Sequence, residues 1–162
     1  MPHELIHFIG QYGYIAMFCM VFVQELGVPG FPNEIALLYF GYLSKSLLFF
    51  PLVCMTVVAA DISGSCILFF VTYYFSPLLL RIKPKWLFSS TEKWQRLKAR
   101  IQKNQEKAIF LGRLTPFLRG YISAIAGFVK TAPPKYIRTI LFSAIVWNTG
   151  WILAGWLIAQ HY

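Results

Sequence analysis

Charge is what this chain has least of, and acid above all. Six Asp and Glu stand among 162 residues, and charged side chains of both signs make up only 13% of the chain. A soluble domain of this size carries roughly twice that fraction, so an ordinary water-soluble fold is excluded. Histidine is equally scarce, with His3, His7 and His161 at the two ends of the sequence. Phosphatase-type chemistry, which usually recruits histidine as nucleophile or acid/base, therefore has little to work with, and no metal or cofactor is expected. Cys19, Cys54 and Cys66 are odd in number and sit inside apolar runs. They read as inert small hydrophobes, not a disulfide framework. The start, Met-Pro-His-Glu, has no basic segment and no small-residue cleavage site after it, so a cleavable signal peptide is not expected.

What the chain does have is apolar and aromatic surface, 57% hydrophobic and 18% aromatic residues. The expectation is an all-α integral membrane protein, a single domain over residues 1–162. The net charge of +9 resembles a nucleic-acid signature, but nine of the fifteen Lys/Arg fall between Arg81 and Lys107. A basic block beside apolar segments fits a cytoplasmic loop and attraction to anionic lipid better than it fits nucleic acid.

The most informative stretch is Ala108–Lys130, which is apolar yet holds Arg113 and Arg119 and breaks at Pro116 and Gly120. An uncharged spanning helix needs about 20 apolar residues and has no use for two arginines around a proline. Each arginine costs about 2.5–3.5 kcal/mol at mid-membrane, so such residues usually face a cavity or bind something. Irregular backbone at that depth is tolerated only where protein buries it or it lines a wet cavity. Two short helices meeting at the break, a re-entrant hairpin, satisfy both conditions. An amphipathic hairpin on the membrane surface is the plainer alternative.

Earlier in the chain the same pattern occurs. Leu5–Gln24 is uncharged and long enough to span, and Glu25 ends it. Pro29, Gly30 and Pro32 cannot continue a helix, and Glu34 opens a second limb, 34–44, too short to cross a bilayer. Residues 47–80 form a long apolar run interrupted by Asp61, with Gly64 close behind and Pro77 where the run approaches the surface. Asp61 should face the protein interior, or else hydrogen-bond locally to Ser63 or Ser65. Residues 84–107 read as an amphipathic cytoplasmic helix, with Ser89 and Glu92 at capping-box spacing. Pro134 is placed to begin a last helix whose uncharged span is 139–160, where Gly150, Ala154 and Gly155 allow close helix approach.

Hairpin and spanning helix thus occur twice, over 5–80 and 108–160, with the basic connector 84–107 between them. Ile35–Ala36…Gly41–Tyr42–Leu43 echoes Ile122–Ser123…Gly127–Phe128–Val129. Weak repeats with interrupted hydrophobic segments at matching places point to transporters whose site lies where the breaks meet. The positive-inside rule puts 81–107 and 130–138 in the cytoplasm. The second hairpin then enters from inside and the first from outside, giving two inverted repeats.

Glu25 with Pro29–Gly30–Phe31–Pro32–Asn33–Glu34, then Asp61, then Phe110–Leu111–Gly112–Arg113–Leu114–Thr115–Pro116 with Arg119 and Ala126–Gly127, and finally Trp147 before a Gly-rich helix, resemble the DedA family of VTT-domain membrane proteins. The resemblance covers nearly the whole chain. Where many members carry Gly-Arg-x-x-Gly after the Asp helix, this chain has Tyr74-Phe75-Ser76-Pro77. The resemblance implies a lipid flippase or scramblase of the bacterial plasma membrane, acting on phosphatidylethanolamine or undecaprenyl phosphate. It also implies functional acids at Glu25 and Glu34 and paired arginines at Arg113 and Arg119.

The chemistry agrees with that role. Guanidinium offers phosphate a bidentate fork that lysine lacks, and a helix break adds backbone N–H groups to the same place. Glu25, Glu34 and Asp61 could meet an ammonium or take up protons, and three acids against two arginines leave one carboxyl without a cation. Burial without a partner favours its neutral form. Facing acids and arginines suit a zwitterionic headgroup such as phosphatidylethanolamine, with undecaprenyl phosphate as the alternative. A lipid-phosphate phosphatase, a structural helper for other membrane proteins, and a set of Glu–Arg bridges that only closes the hairpins are the remaining readings. The expected partners are membrane phospholipid or polyprenyl phosphate and protons, and self-association of the chain is compatible with all of these.

Overall fold

The computed structural model describes residues 3–27, 33–45, 48–82, 95–96, 99, 101–115 and 119–161. Its helices are α1 His3–Glu25, α2 Asn33–Leu43, α3 Phe50–Ile82, α4 Gln105–Arg113, α5 Arg119–Phe128 and α6 Pro133–His161. Residues 101–103 are helical as well, and no strand occurs among the described residues. Pro29, Pro32 and Pro116, three of the four expected break residues, lie outside the described residues, as does most of the amphipathic connector with its Ser89–Glu92 cap.

Helix boundaries follow local chemistry. Pro133 and Pro134 open α6, where a missing N–H costs nothing and φ is already helical, so α6 starts a turn and a half before the uncharged span. The fourth helix begins at Gln105, inside the segment expected as connector, because Asn104 is extended, with φ −152° and ψ 90°. Gly27 leaves α1 in the left-handed region at φ 86°. At the end of α5 the left-handed residue is Lys130, with φ 57°. There the N–H of Thr131 bonds Ala126 O and that of Lys130 bonds Gly127 O, each at 3.0 Å, the Schellman pattern that satisfies last-turn carbonyls.

At 33 residues, α3 is about 50 Å long, more than a bilayer core of about 30 Å needs. Pro77 lies inside it without ending it. A proline there removes the N–H that would bond the carbonyl four residues back, which is Tyr73 O. Lys130 supplies the missing donor: its Nζ donates to Tyr73 O and lies 4.4 Å from the Tyr73 ring centroid.

The packing is an exchange. Helix α1 lies on α3 and α4 on α6, while α2 crosses to α6 and α5 crosses to α3. Both crossings depend on glycine. A Cβ on Gly41 would run into Ile152 O of α6, and one on Gly155 into Leu38 O of α2. A Cβ on Gly127 would meet Thr72 and, at 2.6 Å, Phe69 O of α3. Small residues at helix crossings let backbones touch in this way. Gly150 plays no such part, since nothing lies within 4 Å of its missing Cβ.

One buried apolar cluster joins Met17, Val21, Leu37, Val53, Val57 and Ile152. A second joins Phe69, Ile109, Ile122, Ile125, Tyr136 and Ile140. Large apolar side chains also point outward, among them Met55, Val71 and Phe75 on α3 and Phe142, Ile145 and Leu157 on α6. Among the described residues, Phe50–Pro77 and Pro133–His161 are long and apolar enough to cross a membrane.

Candidate functional site

Between the two apolar clusters lies a knot of buried charge. Glu25 is 3% exposed, Asp61 0%, Arg113 1% and Arg119 6%. Four helices deliver them: α1 ends at Glu25, α4 ends at Arg113, α5 begins at Arg119, and Asp61 stands within α3. The ends of α1 and α5 meet, with the Cβ direction of Gly120 3.6 Å from the Gly27 Cα. Gly64 is what lets α1 come so near α3, for a Cβ there would sit 2.8 Å from both Glu25 Cβ and Phe22 O.

Asp61 is the hub. One carboxylate oxygen accepts from Arg113 Nη2, the other from Arg119 Nη2, and Asn148 Nδ2 donates to the second at 2.6 Å. Glu25 is the other anion, with Oε1 2.8 Å from Arg119 Nε and Oε2 3.6 Å from Arg113 Nη1. The Ser65 hydroxyl donates to Glu25 Oε2 at 2.9 Å and lies 3.3 Å from Asp61 Oδ1. Ser63, the other local candidate, bonds Ala59 O instead.

Two carboxylates and two guanidiniums balance in charge, which is what allows burial at all. Two of the charges oppose their helix dipoles. Glu25 sits at the negative end of α1 and Arg119 at the positive end of α5, so each offsets the other across the seam.

The arginines differ in how far they are engaged. Arg113 donates from Nε to Ser143 at 3.0 Å, from Nη1 to Ser65 at 2.8 Å and Ser123 at 3.2 Å, and from Nη2 to Asp61. Every nitrogen of its guanidinium is engaged. Arg119 reaches Glu25 through Nε without hydrogen-bond alignment, and its Nη1 has no partner among the described residues. That nitrogen is buried. The guanidinium lies 5.9 Å from the Trp147 ring centroid, and the Trp147 Nε1 is likewise buried and unpartnered among the described residues.

Of the residues expected at the site, Glu25, Asp61, Arg113 and Arg119 come together, and Gly120 borders them. Glu34 does not join: it is half-buried at the start of α2 and makes no ion pair among the described residues. Ser123, Ser143 and Asn148 were not anticipated from the sequence. An asparagine inside the uncharged span 139–160 of α6 was the one available signal. Nothing in a serine on an apolar helix marks it as an arginine's acceptor.

Residues 31–157 match the model of the VTT domain. The chain belongs to the DedA family. This DedA protein is 26% identical to undecaprenyl phosphate transporter A of Staphylococcus aureus, over all of this chain and 82% of the relative. It is 23% identical to an alkaline phosphatase-like protein of Lactococcus lactis, again over all of this chain and 78% of the relative. An uncharacterized membrane protein of Synechocystis is 29% identical over 85% of this chain and 63% of its own length. No solved structure matches the DedA chain. Family, relatives and the two long apolar helices agree that it is a membrane protein.

Proposed function

We propose that this DedA protein is a translocase for phosphate-bearing membrane lipid in the bacterial plasma membrane, and not an enzyme. The observation that carries the reading is the Nη1 of Arg119, buried and without a hydrogen-bond partner among the described residues, beside a charge-balanced cluster. A left-over guanidinium nitrogen at a helix N-terminus offers an anionic headgroup two charged N–H donors beside backbone N–H groups. Arg113, with every nitrogen engaged, holds the site in shape. The name of the Staphylococcus aureus relative moves the preferred cargo from phosphatidylethanolamine to a polyprenyl phosphate such as undecaprenyl phosphate. A phosphatase, which the Lactococcus lactis name would suggest, finds no histidine among the described residues that contact the cluster.

The chain forms one membrane domain of two inverted repeats, 5–80 and 108–160, that cross the membrane several times. Three features support the repeats. First limbs pack on their own spanning helix and second limbs on the other's. Gly41 and Gly127, which echo in sequence, make equivalent crossings. A lysine follows each second limb and caps a free carbonyl on the opposite spanning helix, Lys45 to Ala159 O and Lys130 to Tyr73 O.

The test is transfer of undecaprenyl phosphate and of phosphatidylethanolamine in proteoliposomes, with thermal unfolding measured beside it. Arg119→Lys should lose ten- to over a hundredfold in phosphate-lipid transfer, since a buried charge-assisted bond contributes about 1.5–3 kcal/mol, while its unfolding temperature holds. Arg113→Lys should instead unfold early, because several acceptors are orphaned together. Full transfer by Arg119→Lys would count against headgroup binding there.

A further inference from the structure

A groove lies along the seam between α4 and α6. The two helices run side by side in the same direction. Glu106 Oε1 accepts from Arg138 Nη2 at 2.7 Å, the Phe110 and Phe142 rings stand 6.0 Å apart, and Arg113 bonds Ser143. The groove has a volume of about 510 Å³, within the roughly 300–1,000 Å³ of typical ligand sites. One end is polar, with Glu106, Lys107 and Arg138, and the rest is apolar, with Phe110, Phe142 and Ile145. Phe142 is 63% exposed and Arg138 74%.

We propose that this groove docks an anionic membrane phospholipid, its chain along Phe110, Phe142 and Ile145 and its phosphate on Lys107 and Arg138. The charge at the mouth chooses the occupant. Two cations against one acid leave a net positive end on an otherwise apolar slot, which suits a lipid that is anionic at one end and hydrocarbon beyond. A basic pocket between membrane helices is the usual form of such a site. The apolar wall alone would accept any neighbouring lipid. The preference for anionic phosphate comes from Lys107 and Arg138, and Glu106 opposes it by occupying Arg138.

Neither Arg113 nor Ser143 lines the groove, nor does Glu25, Asp61 or Arg119. A lipid held here has its headgroup at the mouth of the seam and not within the cluster. The docking reading stands whether or not the protein moves lipid, because it is read from occupancy and not from transfer.

The experiment places an additional tryptophan in the groove, Phe142→Trp or, independently, Ile145→Trp, in protein reconstituted into phosphatidylcholine nanodiscs. Quenching beyond that of the native tryptophans is compared for equal small fractions of brominated phosphatidylglycerol and brominated phosphatidylcholine. The anionic lipid should quench several-fold more. Adding Arg138→Gln or Lys107→Gln should cut that preference about fivefold per cation removed, and Glu106→Gln should raise it. Equal quenching by the two lipids at both tryptophan positions would reduce the groove to ordinary lipid contact and overturn the proposal. A preference untouched by the double Lys107→Gln, Arg138→Gln variant would overturn the headgroup assignment. Loss of transfer in Arg119→Lys with the groove preference intact would leave the docking site standing apart from the translocation reading.

Discussion

Asp61 and Glu25 are both satisfied within the buried cluster, so neither can change charge without leaving an arginine uncompensated. Removing one partner of a buried ion pair typically costs about 3–5 kcal/mol. Glu34, half-buried at the start of α2, is the expected site acid that has no such tie among the described residues. If lipid transfer takes up or releases a proton, Glu34 is the carboxyl that can do so at least cost to the fold. In vesicles, Glu34→Gln should transfer lipid at one rate with and without an imposed pH gradient, with unfolding unchanged, whereas Glu25→Gln should unfold earlier by about the buried-pair cost. Wild-type protein whose rate ignores the gradient would remove Glu34 from any coupling role. The sequence led to the expectation that three acids set against two arginines leave one carboxyl without a cation. Which acid is left over was not legible there, because it depends on how closely α1 approaches α3 at Gly64, and sequence spacing does not carry that distance.

Some element boundaries were readable because they rest on local chemistry: proline at the start of α6, and long uncharged runs for α3 and α6. The start of α4 was not, since it falls at Gln105, inside the segment expected as connector, where Asn104 turns extended. Partner choice between elements was not. Nothing local says that α5 lies on α3, or that the cap of α5 repairs a defect in another helix. The repair is nonetheless specific, since Pro77 frees Tyr73 O and Lys130 fills it. Lys130→Met should destabilise the protein by about 0.5–1.5 kcal/mol, the net contribution of an ordinary hydrogen bond, since this one is exposed. Pro77→Ala restores the helical N–H, so in that background Lys130→Met should cost much less. Unfolding in denaturing detergent for the four members of this cycle measures the coupling. Additive costs would mean that Lys130 acts only through its contact with the Tyr73 ring.

The whole molecule carries a ruler along α6. Lys45, just past α2, donates to Ala159 O near one end of that helix, and Glu106 pairs with Arg138 near the other. From Arg138 to Ala159 the helix rises about 30 Å, which matches the hydrocarbon thickness of a bilayer. The end of α2 and the start of α4 therefore project to opposite faces if α6 spans. The basic residues between Arg81 and Lys107, with Lys135 and Arg138, set which face is cytoplasmic by their charge. Gln102 and Lys45 are both exposed, so single cysteines there, in a background lacking Cys19, Cys54 and Cys66, report orientation without disturbing the core. In intact cells an impermeant maleimide should label Lys45→Cys and leave Gln102→Cys untouched until the membrane is opened. Labelling of both from one side would contradict a spanning α6 and the inverted arrangement together. Labelling of Gln102→Cys alone would keep the ruler and reverse the protein in the membrane, leaving its basic face outside against the charge rule.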